Sequence, residues 1–283
     1  MDAGMLERPL PPDAVVALES WLAGDGAFYA HGTGTHAVGY IPAAWADIEA
    51  WPASLADRTQ KQRTLLSRAE VLMVARAGWQ TSNWTETFVA SYIWGQGSNG
   101  YAAYRLSQLL GPATEEVLTE ATKVLANDGA VVAYNALRGA ICGLGPAFFT
   151  KFLYFAGSAI SDLAGPAPLI LDQRIARVVR AYATRLGGEL GLEEPARLAK
   201  WLWSDGGWTA YRYNVYLRWA HGAAEQLACT TLWSETPDSL ELALFSGVWD
   251  PERSALKQHE ATRPEAYELA ATQCGGDVPG MYE

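Results

Sequence analysis

Apolar residues recur along this chain at helical intervals, and no stretch sustains the two-residue alternation of a half-buried strand, so the pattern predicts a mainly helical protein. A first short helix is expected over residues 12–23 from Val15, Val16, Leu18 and Leu22. Residues 24–57, broken by Gly and Pro and rich in aromatics, read as a loop wrapping the core. A strong helix is predicted over 59–77 from Leu65, Leu66, Val71, Leu72 and Val74. Residues 83–110 read as two helices split by a Gly-Gln-Gly-Ser-Asn-Gly break, with Asn83 as the first cap. A further helix runs from Pro112 to about Ala126, with glutamates in its first turn where the helix dipole favours them.

The middle of the chain carries the sharpest local signal. Ala133, Leu137 and Ile141 mark one apolar face and Phe148, Phe152 and Phe155 another, separated by Gly-Leu-Gly-Pro at residues 143–146. This predicts a helical hairpin over 133–156, with glycines admitting positive φ and Pro146 in the first turn of the second helix. Backbone amides at such a turn and helix start suit an anion such as phosphate, although a glycine turn is also an ordinary way to join two helices. A connector over 158–171, with a short apolar run at 169–171, leads to Asp172 at the head of another helix. That helix presents Ile175, Val179, Tyr182 and Leu186 on its apolar side, with Arg174, Arg177, Arg180 and Arg185 mostly off it. Asp172 is placed to cap it. Helices then follow from Pro195, over 208–228 and within 234–249, and the tail from Pro251 is poor in apolar residues. The expected organisation is an N-terminal helix and wrapping loop (1–58), a helical region (59–250) and a C-terminal tail (251–283).

Composition narrows the possibilities. With 283 residues and 49% hydrophobic content, the chain can bury a substantial core. Cys142, Cys229 and Cys274 suit a reducing compartment and are too few for a four-cysteine iron-sulfur cluster. The four histidines show no zinc-ligand spacing, and His31 and His36, in a Gly/Thr-rich loop, read as surface residues. No cofactor or metal is therefore expected. Without a signal-peptide pattern or a run of about twenty apolar residues, the expected location is the cytoplasm. The formal charge of −10 argues against nucleic acid. The charge is uneven, however: residues 129–187 hold six basic and two acidic side chains, whereas 188–283 hold seven basic and fifteen acidic. The first segment is a candidate DNA surface, and the acidic remainder is a candidate surface for a protein partner.

GLGP, the apolar helix after it and the later LILDQRIARVV resemble the helix-hairpin-helix DNA glycosylase superfamily, nearest its 8-oxoguanine glycosylase-like branch. The resemblance covers residues 82–220. It implies an all-α, two-lobed fold without the N-terminal antiparallel domain of the eukaryotic enzymes. It also implies excision of a damaged or modified base, for which the branch suggests 8-oxoguanine, from double-stranded DNA with the nucleotide flipped out and the protein associated with the nucleoid. By this resemblance Gly143, Leu144 and Gly145 grip the DNA backbone, and Asp172 is the catalytic carboxylate supporting positive charge at C1′. Gln96 and Asn99 resemble the polar helix end that enters the DNA gap or lines the base pocket, and Arg174 is a further DNA contact. The chain departs from strand-cleaving members at their usual lysine position, which is Ala147 here. Lys151 lies one helical turn deeper, as a substitute Schiff-base nucleophile or as a surface or phosphate-contacting lysine, and hydrolysis by water stays open. Among twelve tryptophans, Trp203 and Trp208, with Tyr211, are candidates for stacking on an extruded base. The alternative from another class is a non-catalytic helix-hairpin-helix binding protein.

Overall fold

A computed structural model describes residues 1–230, 233 and 236–252. Most of the predicted C-terminal tail, with Cys274 and His259, lies outside the described residues, as does Ser234 ahead of the expected docking helix. Twelve α-helices and one two-stranded antiparallel sheet are present among the described residues. The N-terminal part contains α1 (Asp2–Glu7), α2 (Pro12–Ala23), β1 (Ala37–Tyr40), β2 (Thr64–Ser67) and α3 (Arg68–Thr81). Then come α4 (Thr85–Gln96), α5 (Ala102–Leu109), α6 (Thr114–Asp128), α7 (Ala130–Leu137) and α8 (Pro146–Ala159). The last four are α9 (Gln173–Glu189), α10 (Pro195–Leu202), α11 (Ala210–Thr230) and α12 (Asp238–Phe245).

The sheet corrects the expectation of helix over 59–77. β1 pairs with β2 in a register that sets Val38 opposite Leu66, and Leu66 is buried while Leu65 on the other face is exposed. Two adjacent leucines that fit a helical repeat are thus split between the faces of a strand. The helix starts at Arg68 because Ser67 caps it: the Ser67 hydroxyl accepts from the Glu70 amide and the Glu70 carboxylate accepts from the Ser67 amide. This reciprocal pair halts the strand and nucleates the helix within one turn.

The cap of α4 also differs from the prediction. Asn83 makes no cap. Instead the Glu115 carboxylate, reaching from the first turn of α6, accepts from the amides of Trp84 (2.8 Å) and Thr85 (2.7 Å), and from the Thr85 hydroxyl. Two helix starts are thereby welded together, α6 having Glu115 in its own first turn.

Helix α4 is buried on nearly every side, from Thr87 to Trp94, and packs against α3 and α8. Helix α8 is similarly enclosed, burying nine consecutive residues from Phe149 to Gly157. These two all-round apolar helices form the centre of the protein, and the aromatic pairs Phe88–Phe152 and Trp94–Phe155 cross between them edge to face. Ile141, expected to continue the first hairpin helix, lies beyond the end of α7 in the turn and is buried there.

Candidate active site

Residues 169–171 run fully buried between α8 and α11, where their backbone polar groups need partners. The Thr150 hydroxyl accepts from the Leu171 amide (3.1 Å) and donates to Pro146 O (2.7 Å). The Tyr213 hydroxyl donates to Leu169 O (2.9 Å), and the Tyr216 hydroxyl donates to Ile170 O (2.8 Å). Burial pushes both tyrosine hydroxyls well above their ordinary pKa, so they stay protonated and able to donate. The segment is therefore pinned from two helices immediately before Asp172.

Asp172 caps α9, its Oδ1 accepting from the amides of Arg174 (2.9 Å) and Ile175 (3.1 Å). The other oxygen, Oδ2, is 3.8 Å from Lys151 Nζ. Lys151 is buried in the middle of α8 and donates to Ala147 O at 2.7 Å. Burial lowers its pKa; the carboxylates of Asp172 and Glu241 oppose that shift, and the Arg68 guanidinium adds to it. The lysine passes over Gly95 near the end of α4, where an added Cβ would stand 2.7 Å from Lys151 Cδ. Gly95 is thus a site residue that helix patterning alone does not single out.

Lys151 and Asp172 share a cavity of about 210 Å³ with His36, Arg68, Trp94 and Glu241, and Gln96 and Phe245 complete its rim. Arg68 and Glu241 form a buried ion pair, Nη2 to Oε2, at 2.7 Å. Arg68 also donates from Nη1 to the Tyr154 hydroxyl (3.3 Å), which donates to Asp238 (2.7 Å). Its guanidinium lies 5.1 Å from the centre of the Trp94 ring. Burial pushes the Glu241 carboxyl up and the guanidinium opposes it. His36 is not a surface residue: it is half-buried, Arg68 Nε donates to its Nδ1 at 3.4 Å, and burial with the adjacent guanidinium lowers its pKa to about 4. It is neutral at pH 7. Among the described residues, no group of three or more His, Cys, Asp or Glu side chains is arranged to hold a metal.

The structure brings Asp172, Lys151 and Gln96 to this cavity. Asn99 stands next to it, exposed, and donates to Gln96 Oε1 at 3.1 Å. Gly143 has φ 82° and is exposed, Leu144 is buried as the anchor of the turn, and Gly145 caps α8. The amides of Gly143, Gly145 and Ala147 have no acceptor among the described residues, leaving donors directed away from the helix start. Arg174 is exposed and its guanidinium packs 4.7 Å from the Phe245 ring centre.

The three aromatic candidates lie elsewhere. Trp203 is fully buried beside Arg212, Trp208 is buried with its indole N–H on Ser204 O, and exposed Tyr211 donates to Asp2. None lines the cavity: Trp203 ends α10, Trp208 precedes α11, and Tyr211 in the first turn of α11 faces Asp2 near the N-terminus. Trp94 and Phe245 supply the aromatic walls instead. The basic segment is also less open than its composition suggests. Arg177 and Arg180 share Asp205, and Arg185 pairs with Asp13 and Glu189. Arg138 and Arg174 form no ion pair among the described residues, so the positive surface is concentrated near the hairpin turn and the head of α9.

Residues 31–245 match the protein family described as "Putative 8-oxoguanine DNA glycosylase OGG-like protein". The match takes in the cavity from His36 to Phe245 and spans most of the chain, and the chain belongs to this family. No curated protein and no solved structure matched.

Proposed function

We propose that this member of the OGG-like family excises a damaged base from DNA, with Asp172 and Lys151 as the reacting pair. The observation that carries the reading is their juxtaposition: a helix-capping carboxylate turns its free oxygen toward a buried lysine, 3.8 Å away, in a cavity with room for one extruded base. The free amides at the hairpin turn hold a phosphate of the bound strand, and Arg174 adds a positive charge beside the cavity. Gln96 and Asn99 meet the DNA where the nucleotide has left the stack.

In this reading the deoxyribose C1′ lies between Asp172 and Lys151. The C1′–N bond breaks with its electron pair leaving on the base, which takes up a proton, and Asp172 stabilises the positive charge developing at C1′. The Lys151 amine forms the new N–C1′ bond and loses a proton, and opening of the sugar ring then gives a Schiff base. Desolvation favours the amine over the ammonium, as this step needs.

The test is incubation with duplexes containing 8-oxoguanine, uracil, alkylated adenine or modified cytosine, with and without borohydride. Base release that disappears in Asp172→Asn, together with borohydride trapping lost in Lys151→Ala and kept in Lys200→Ala, is the expected result. Release without trapping assigns water as the attacker. Binding of every duplex without release of any base makes the protein a non-catalytic DNA-binding protein.

A further inference from the structure

Beside Lys151 and Asp172, two neutral rings carrying N–H donors line the cavity, and one guanidinium stands behind both. His36 directly precedes β1 and Arg68 opens α3, and strand pairing sets them side by side, the Arg68 amide donating to His36 O at 2.9 Å. The Arg68 side chain then donates from Nε to His36 Nδ1 at 3.4 Å. A guanidinium N–H can only donate, so Nδ1 carries no proton and the neutral ring keeps its hydrogen on Nε2. Burial and the adjacent positive charge hold this imidazole neutral at pH 7. Trp94, near the end of α4, meets that ring edge to face with centroids 5.4 Å apart. Its Nε1–H is buried and has no acceptor among the described residues, and an unmet buried donor carries a desolvation cost that a bound acceptor removes. The Arg68 guanidinium lies 5.1 Å from the indole centre. A cation against each ring draws electron density from it and makes its N–H a stronger donor.

We infer that Trp94 and His36 are catalytic donors to the leaving group: Trp94 Nε1–H and His36 Nε2–H bond to a carbonyl oxygen of the departing base and stabilise the negative charge that collects there. This rests on the glycosylase reading above. When the C1′–N bond breaks, its electron pair goes to the base nitrogen and, by conjugation, to the oxygen of a carbonyl beside that nitrogen. Donors already in place meet this charge without reorganising, and so favour the transition state over the ground state. Both residues keep their protons. The proton that the base finally takes up balances the one Lys151 releases on bonding to C1′. An imidazolium would set its Nδ1–H against the Arg68 Nε–H, so the neutral ring is the form that fits. Arg68 is a positioning residue for both donors, and the buried Glu241 carboxylate, 2.7 Å away, compensates its charge. The cavity thus stabilises both halves of the breaking bond, Asp172 the positive sugar and the two N–H groups the negative base.

Sulfur is a weak hydrogen-bond acceptor, so replacing the carbonyl oxygen tests the contact itself. Single-turnover release is measured from duplexes carrying 8-oxoguanine, uracil or 5-methylcytosine, each compared with its counterpart bearing sulfur at the carbonyl beside the glycosidic nitrogen. A duplex with 3-methyladenine, which has no carbonyl, completes the set. The variants are Trp94→Phe, which keeps a ring without the donor, and His36→Asn, whose amide reaches the Nδ1 position for Arg68 but not the Nε2 position. For the carbonyl base that is released, each variant is expected to slow the oxygen substrate by about 10²-fold and the sulfur substrate by only about tenfold, so that the wild-type preference for oxygen shrinks about tenfold. Equal slowing of both substrates, or none, in a folded variant means that the ring only shapes the cavity, and overturns the assignment of that residue. Should His36→Asn not fold, Trp94→Phe decides. Release of 3-methyladenine alone by the wild type overturns the inference for both residues while leaving a glycosylase. If no duplex loses a base, the glycosylase reading fails and the inference falls with it.

Discussion

Asp172 holds the first turn of α9 with one carboxylate oxygen and directs the other to Lys151 Nζ, 3.8 Å away. One side chain thus has a structural and a chemical task on different atoms, and substitutions separate the two. Asparagine caps a helix about as well as aspartate, so Asp172→Asn should unfold within about 0.5 kcal/mol of the wild type and yet lose at least about 10²-fold in single-turnover base release. Asp172→Ala should lose a comparable rate and also about 1 kcal/mol of stability. Urea denaturation alongside the kinetics checks both. A fully active Asp172→Asn removes the carboxylate from the mechanism.

The charge on Lys151 sets the pH range of trapping. Burial lowers its pKa from the ordinary 10.5, so the reactive amine becomes populated at lower pH than for a solvated lysine. Borohydride trapping should therefore rise with pH to a plateau whose midpoint lies below 10.5. The Asp172 carboxylate favours the ammonium, so Asp172→Asn, while slowing the reaction, should move the midpoint lower still. A midpoint unmoved from the ordinary lysine value contradicts the desolvated amine.

The start of α8 and the head of α9 were legible because their signals are local, Pro146 in a first turn and an aspartate before an amphipathic helix, whereas the end of α7 was not, since Ile141 keeps the helical spacing but lies in the turn. The rest of the cavity was not. His36, Arg68 and Glu241 are 32 and 173 residues apart in successive steps, and each alone resembles an ordinary surface residue. Only the folding of β1, α3 and α12 around α4 and α8 brings them together. The error over 59–77 arose from Leu65 and Leu66 fitting a helical period, a local pattern overridden by pairing with β1. Trp203 and Trp208 failed as cavity residues for the converse reason: aromatic content identifies burial, and burial here serves packing.

The shared cap at Glu115 gives a stability test away from the chemistry. Glu115→Gln retains an acceptor and should cost about 1 kcal/mol, whereas Glu115→Ala leaves the Trp84 and Thr85 amides without it and should cost about 2–3 kcal/mol. Equilibrium urea unfolding reads the difference. Equal, negligible losses would show that water serves these amides as well as the carboxylate does.

Acid should loosen the cavity through His36. Its pKa is about 4 when folded against an ordinary 6.5, so between these values the unfolded chain binds a proton that the folded chain does not. The stabilisation is complete above about pH 6.5, falls as pH drops toward 4, and changes no further below it. Allowing for partial exposure, the loss is about 2 kcal/mol. His36→Asn keeps an acceptor for Arg68 without a titrating ring and should flatten this part of the stability–pH curve. A wild-type curve already flat there would rule out the buried neutral imidazole.

Gly95 tests whether the position of Lys151, rather than its presence, matters. A methyl group there would lie 2.7 Å from Cδ and 3.0 Å from Cε of the lysine, closer than van der Waals contact permits. Those atoms belong to a flexible side chain, so the backbone need not move, and alanine favours a helix over glycine by about 1 kcal/mol. Gly95→Ala should therefore fold with stability equal to or above the wild type. The lysine must nevertheless give way, and Nζ is tied to Ala147 O at 2.7 Å and faces Asp172 at 3.8 Å. A displacement of about 1 Å at a reacting atom costs on the order of 10²-fold in rate, and trapping should fall by about that factor while DNA binding is unchanged. Serine should behave as alanine does, since the clash begins at Cβ. Trapping at the wild-type rate in a folded Gly95→Ala protein would mean that the lysine reaches the sugar by another path, and that the bare backbone at Gly95 has no part in aiming it.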